Sequence, residues 1–127
     1  MALRWGRIVA AGLVAEIVPI VVLVGIVALF GPVEEAAAQA FAERQGRWVG
    51  PLGGAVACGA LGWWAARGGV RGLATGLAVG GVAAALDLGL ILASGAPFEW
   101  LFAASNAGRV IAGALGGARG GSPPRAA

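Results

Sequence analysis

Four apolar runs, each close to the length of a membrane crossing, constrain this chain more than any other feature: residues 8–30, 48–66, 73–94 and 98–118. A hydrocarbon core ~30 Å thick takes ~20 residues of helix to cross. The spacing therefore predicts an all-α integral membrane protein with four transmembrane helices. Composition points the same way. The chain is 59% hydrophobic and 12% charged, where a soluble domain carries about a quarter of its residues charged. Its 127 residues suit a single domain over residues 1–119, followed by a flexible Gly/Ser/Pro tail at 120–127.

The residue types that are missing narrow the chemistry. There is no His, no Tyr and no Lys, and Cys58 is the single cysteine. That removes an intramolecular disulfide and a His or Cys metal cluster, and with them the usual haem ligand; no cofactor is expected. The net charge of +3 comes from arginines scattered beside apolar spans, which suits membrane topology and not nucleic acid. No Ser–base or Cys–base pair suggests an enzyme. Ser105 with Glu16 and Asp87 is the one constellation a lipid-processing site would draw on.

The first run has a rival reading as a secretory signal, with Arg4 and Arg7 before it and Ala38-Gln39-Ala40 as a small-x-small sequence after it. A signal core runs ~7–15 residues, and 8–30 is longer, so a retained span is expected. Orientation follows from the arginines. Arg4 and Arg7, Arg67 and Arg71, and Arg119 and Arg125 occupy three regions with no acid, whereas the opposite connections carry Glu34, Glu35, Glu43 and Glu99 against Arg44 and Arg47. The positive-inside rule then places both termini in the cytoplasm, most naturally of a bacterial cell, in its inner membrane. Trp5, Trp63 and Trp64 suit the cytoplasmic interfacial belt, Trp48 and Trp100 the external one.

Residues 33–47 form an extra segment. Pro32 suits a first helical position, Glu34 and Glu35 favour the start of a helix and Arg44 its end. Val33, Ala36, Ala37, Ala40 and Phe41 make an apolar stripe. A short external amphipathic helix, lying on the membrane surface or serving as a solvated connector, is expected there.

Two strings echo each other: Gly59-Ala60-Leu61-Gly62 before Ala66-Arg67-Gly68-Gly69, and Gly113-Ala114-Leu115-Gly116 before Ala118-Arg119-Gly120-Gly121. The first and third spans each carry one acid, Glu16 and Asp87. A duplicated helix pair with 33–47 inserted in its first copy accounts for this; chance likeness of Gly/Ala-rich helices is the alternative. Gly72, Gly76 and Gly80 recur at four-residue spacing, as do Gly113, Gly117 and Gly121, and Gly50 and Gly54. Each set lies on one helix face where backbones approach closely, the pattern of a glycine zipper. Three such faces on so small a bundle favour a homo-oligomer, a dimer first. The first span, dense in Val, Ile and Leu, is expected to be the most lipid-exposed.

Ionisable groups at bilayer depth mark function. Glu16, Asp87 and Arg109 are such groups, with Asn106 a turn from Arg109. Measured from the span midpoints, Asp87 sits ~6 Å outward and Glu16 ~4–5 Å inward. Side chains lean toward the helix N-terminus, so Arg109 leans toward Asp87 and Glu16 leans away. The expectation is an Arg109–Asp87 pair supported by Asn106, with Glu16 left over as an ion, proton or substrate site. Pro19, one turn on, loosens the helix beside it.

Gly12-Leu13-Val14-Ala15-Glu16-Ile17-Val18 resembles the first-helix motif of small multidrug resistance transporters. The resemblance implies a dimer of short four-helix chains exchanging protons at the membrane glutamate. It is confined to the first helix: segment 33–47 is extra, there is no Tyr for an aromatic cage, and Arg109 has no counterpart. The function expected is an ion- or proton-coupled transporter or channel-like subunit; the alternative is a non-catalytic accessory or assembly subunit of a larger membrane complex.

Overall fold

The computed structural model describes residues 2–123. They form α1 (Trp5–Phe30), α2 (Glu35–Ala66), α3 (Gly72–Ser94) and α4 (Trp100–Gly120), with no strand among the described residues. Three helices, α1, α2 and α3, are long and apolar enough to cross a membrane.

Residues 33–47 are not a helix of their own. Glu34 caps a single 32-residue helix by accepting from the Ala37 N–H at 3.2 Å, and that helix runs on through Pro51. Nothing between Arg44 and Gly50 stops a helix, because glycine there costs only ~1 kcal/mol. Pro51 removes the one hydrogen bond that the Arg47 carbonyl would accept. At 1.5 Å per residue α2 is ~48 Å long against ~32 Å for α4, so its polar first third runs on past α4, beside the outer half of α1, where Gly46 lies against Leu23.

The ends of the helices are set by local chemistry. The turn between α2 and α3 places Gly68 at φ 75°, and Gly95 closes α3 at φ 68°; glycine enters this left-handed region without the Cβ penalty that other residues meet. Gly31 ends α1 in an extended conformation before Pro32. Gly120 belongs to α4, and Ser122 N–H donates to the Gly69 carbonyl at 2.9 Å, tying the start of the expected tail to the α2–α3 turn. The rest of that tail, 124–127, lies outside the described residues.

Successive helices are antiparallel. Ile8 packs with Ala65 and Val79, and Gly72 lies against Gly117 and Gly121. One end of the bundle thus gathers Arg4, Arg7, Arg67, Arg71 and Arg119, while the other holds Glu43, Arg47 and Glu99. At the basic end the Arg7 guanidinium stacks on Trp64 at 4.5 Å and donates to its carbonyl at 2.8 Å, and Arg67 stacks on Trp63 at 4.6 Å. α1 touches α2 and α3, α4 touches the same two, and α1 and α4 lie opposite each other across them.

Small residues make this packing possible. A Cβ on Gly76 or Gly117 would collide with the other helix's backbone, Gly76 with Gly113 and Gly117 with Gly72 and Gly76, and one on Gly80 with Arg109 and Val110. The GALG strings face each other across the parallel α2–α4 contact in a reciprocal way: Gly62 meets the Gly113 carbonyl and Gly116 meets the Gly59 carbonyl. The α2–α3 contact, in contrast, has no counterpart between α1 and α4.

Apolar side chains cover the outside. α1 buries Ile8, Ala11, Gly12, Ala15, Glu16 and Pro19; beyond Pro19 no residue is fully buried, and Val21, Val24, Leu29 and Phe30 face outward. The buried residues are mostly Ala and Gly, an inversion of the soluble pattern that suits a lipid surround.

Candidate functional site

The packing layer of Ala15, Ala57, Cys58 and Ala83 fixes the register of α1, α2 and α3 at mid-bundle. One turn beyond it, toward the acidic end, stand Glu16 and Pro19 on α1, Gly54 on α2 and Asp87 on α3. α4 brings Ser105, Asn106 and Arg109 to the same region on its buried stripe, which continues through Gly113 and Gly117.

Arg109 is the hub. Its residue is 3% exposed, and its Nη1 lies 2.9 Å from Glu16 Oε2 and 3.2 Å from Asp87 Oδ1. Both carboxylates address the same nitrogen, so they are neighbours, and two acids share one cation. Asn106 Nδ2 donates to Asp87 Oδ2 at 2.7 Å and to the Phe102 carbonyl at 2.9 Å. The second bond runs back along its own helix and holds the amide in place. Glu16 Oε2, Asn106 Oδ1, Arg109 Nε and Arg109 Nη1 are buried without a hydrogen bond of good geometry, although Nη1 lies within ion-pair distance of both acids.

The structure brings Asp87, Arg109 and Asn106 together. It corrects the expectation for Glu16, which is not a leftover acid but the closer of the two partners. Depth measured from span midpoints failed because α1 begins at Trp5 and the helices are not centred on a common plane. With Ala15 and Ala83 in one layer, Glu16 stands three residues, about 4.5 Å along the axis, from Asp87, within reach of the same guanidinium. A second reason is the reach of Arg109, which crosses from α4 to α1 although those helices do not touch. It does so over Gly54, where a Cβ would overlap its Nε. The sequence shows Gly54 only as a packing glycine; its role as a slot for the guanidinium depends on a register that no single-helix pattern contains.

Gly54→Ala is therefore expected to displace the guanidinium and lower stability by about 1–3 kcal/mol, the usual scale of overpacking. The loss should shrink in a Glu16→Gln background, because the displaced contact is then already weakened; a double-mutant cycle of unfolding free energies measures this coupling.

No protein-family model, characterised protein or solved structure matches this chain. The site has to be read from its own geometry. Glu16, which the first-helix resemblance makes the exchanging group, is here bridged to Arg109.

A cleft of ≈ 560 Å³ leads from the acidic end toward this hub. Glu43, Arg47 and Glu99 line its outer part, and Ser105, Asp87 and Arg109 also line it. Arg47 Nη2 lies 3.3 Å from Glu99 Oε2, a largely exposed pair of the kind that contributes at most about 1 kcal/mol. Glu16 is not among the residues that line the cleft. Among the described residues no group of three or more His, Cys, Asp or Glu side chains converges.

Proposed function

We propose that the protein is a small ion- or proton-coupled membrane transporter or channel-like subunit whose exchange centre is Glu16–Arg109–Asp87. The observation that carries this reading is charge: two carboxylates share one buried guanidinium where a cleft ends. With both acids ionised the centre holds one net negative charge, and burying such a charge costs several kcal/mol unless something compensates it. One further monovalent positive charge, a proton or a cation, balances the site. Its arrival and departure is an exchange reaction, and no catalytic step is needed.

In this reading α4 is the fourth span. Its polar groups, Ser105, Asn106 and Arg109, point into the bundle, while Ile111 and Leu115 are exposed. The arginine-rich end faces the cytoplasm of a bacterial cell, by the positive-inside rule, and both termini lie on that side. The Gly72–Gly80 and Gly113–Gly121 faces are spent within the protomer, so a homodimer has to use another surface. Gly81 and Gly89 have nothing within 4 Å of a Cβ position, and with Ala85 they form an outward small-residue face on α3 suited to close helix contact.

The test is flux in proteoliposomes under imposed proton and cation gradients. Wild-type protein is expected to carry flux, Asp87→Asn to abolish it and Glu16→Gln to reduce it. Unchanged flux in both variants removes the reading. A second reading, an accessory or assembly subunit, draws on the outer half of α1, where no residue is fully buried and Val21, Val24, Leu29 and Phe30 are exposed to a neighbour. Copurification of one stoichiometric partner, lost on Val24→Asn, together with absence of flux, favours that alternative.

A further inference from the structure

The orphaned atoms of the hub distinguish the kinds of ion it can take. Asn106 Nδ2 has two acceptors, Asp87 Oδ2 and the Phe102 carbonyl, and this fixes which end of the amide is nitrogen. Its oxygen, Oδ1, is thereby a buried acceptor with no hydrogen bond, and Glu16 Oε2 is another. A buried amide oxygen left in this state is destabilising, because it has given up its bonds to water and gained none in return. A proton added to Asp87 corrects the charge of the centre, but its O–H meets the nitrogen end of the amide and not the oxygen, because Asn106 Nδ2 is turned to Asp87 Oδ2 and held by the Phe102 carbonyl. A hard cation, which binds carboxylate, amide and hydroxyl oxygens alike, answers both needs.

We propose that the ion taken up by this centre is a partly dehydrated alkali cation, held by the Asp87 carboxylate, Asn106 Oδ1 and the Ser105 hydroxyl where the cleft meets the hub. The proposal rests on reading the hub as an exchange centre and names the ion it exchanges. Charge selects a monovalent ion: one positive charge neutralises two acids and one arginine, whereas a divalent ion reverses the imbalance. Position selects Asp87 as the loading acid: it lines the cleft together with Ser105, whereas Glu16 and Asn106 do not, so the ion enters at Asp87 and reaches Asn106 Oδ1 just behind that lining, where Asn106 is bonded to Asp87. At the outer part of the cleft Glu43 and Glu99 outnumber Arg47, which raises the local concentration of cations.

Arg109 then couples the ion to the bundle. Both acids compete for one nitrogen, Nη1. A cation on Asp87 takes that carboxylate from the arginine, and Arg109 relaxes onto Glu16. Loading on α3 is thus felt on α1, two helices joined through the α4 side chain.

The experiment uses the full chain in detergent at fixed pH and ionic strength, with NaCl, KCl or LiCl replacing N-methyl-D-glucamine chloride. Tryptophan fluorescence follows thermal unfolding. A saturable rise in Tm with at least one alkali cation is expected. Asp87→Asn should abolish it, and Asn106→Leu should weaken the apparent affinity about tenfold or more, the scale on which the loss of a group supporting an ion site is felt. No saturable shift with any alkali cation in the wild-type chain overturns the proposal, whatever the variants do. Proton-driven flux without cation stabilisation also overturns it and leaves the exchange reading standing. Cation stabilisation without flux supports the site and removes the transport reading instead.

Discussion

Replacing Arg109 with leucine is expected to destabilise the bundle by about 3–5 kcal/mol, the scale on which breaking a buried ion pair from one side is felt. The physical cause lies in what remains. Glu16 and Asp87 lose their shared cation, and two carboxylates are left beside each other on α1 and α3 with only the Asn106 amide to oppose them. The bundle also loses an ion pair that joins α4 to α1, two helices whose backbones do not approach each other. Leucine ends at Cδ and leaves open the space over Gly54 that Arg109 Nε, Cζ and Nη2 fill, so part of the loss is steric, but the larger part is charge. The cost should therefore be reversible more by chemistry than by volume. The triple variant Glu16→Leu/Asp87→Leu/Arg109→Leu is expected to recover most of the loss or to exceed wild-type stability, since exchange of a buried ionic group for packed apolar residues is often neutral or stabilising by 1–4 kcal/mol. Unfolding free energies from denaturant titration in detergent, followed by tryptophan fluorescence, give both values. A single-variant loss below about 1 kcal/mol would mean that the acids find another partner; a triple variant no better than the single would mean that Arg109 acts by shape. Either result removes the hub as an electrostatic centre.

The contrast between Asp87 and Glu16 shows where sequence reasoning reaches its limit in this molecule. The helices are legible because an apolar run is a local property, and for α1, α2 and α3 its length and apolarity suit a membrane crossing. The Asp87–Arg109–Asn106 grouping is legible because Asn106 and Arg109 lie one turn apart on one helix face and share a depth with Asp87. Glu16 needs a third helix placed in register, and register comes from which small residues interlock. Gly12 against Val82 and Ala83, and Gly53 against Pro19, set the height of α1 in the bundle, yet each is one more glycine in a chain that has 24. The 33–47 segment failed for the opposite reason. Its change of composition, from polar to apolar at Trp48, marks a change of surroundings, from past the end of α4 to alongside it. A helix passes through such a change unbroken when no residue interrupts its hydrogen bonds. Composition locates the membrane boundary there, and only backbone chemistry locates the helix boundary. The GALG echo was visible as a likeness between two strings; that the strings meet, Gly62 on Gly113 and Gly116 on Gly59, became visible only with the fold.

The glycine contacts make the second large effect. Gly76→Ala should destabilise the bundle by about 1–3 kcal/mol, and Gly76→Val by more, because an added side-chain atom has nowhere to go. The Cβ would stand within overlap distance of the Gly113 carbonyl and the Gly117 Cα. Both are backbone atoms of a helix that also packs on α2, so relief requires α4 as a whole to move away from α3. That movement carries Arg109 with it, since Gly80, one turn from Gly76, lies against the Arg109 backbone. Gly89→Ala and Gly108→Ala are the matched controls: nothing lies within 4 Å of either Cβ position, so the better helix propensity of alanine should raise stability by up to about 1 kcal/mol. The same substitution thus has opposite signs on two faces of one helix, α3. Propensity alone predicts a gain at all three positions; loss at Gly76 with gain at Gly89 isolates the interhelical contact. Gly76→Ala should also lower alkali-cation affinity, although it touches none of the proposed ligands, because the shift of α4 separates Asn106 from Asp87. Equal stability of Gly76→Ala and Gly89→Ala would show that α3 and α4 do not meet at this register, and the position of Arg109 between Glu16 and Asp87 would fall with it.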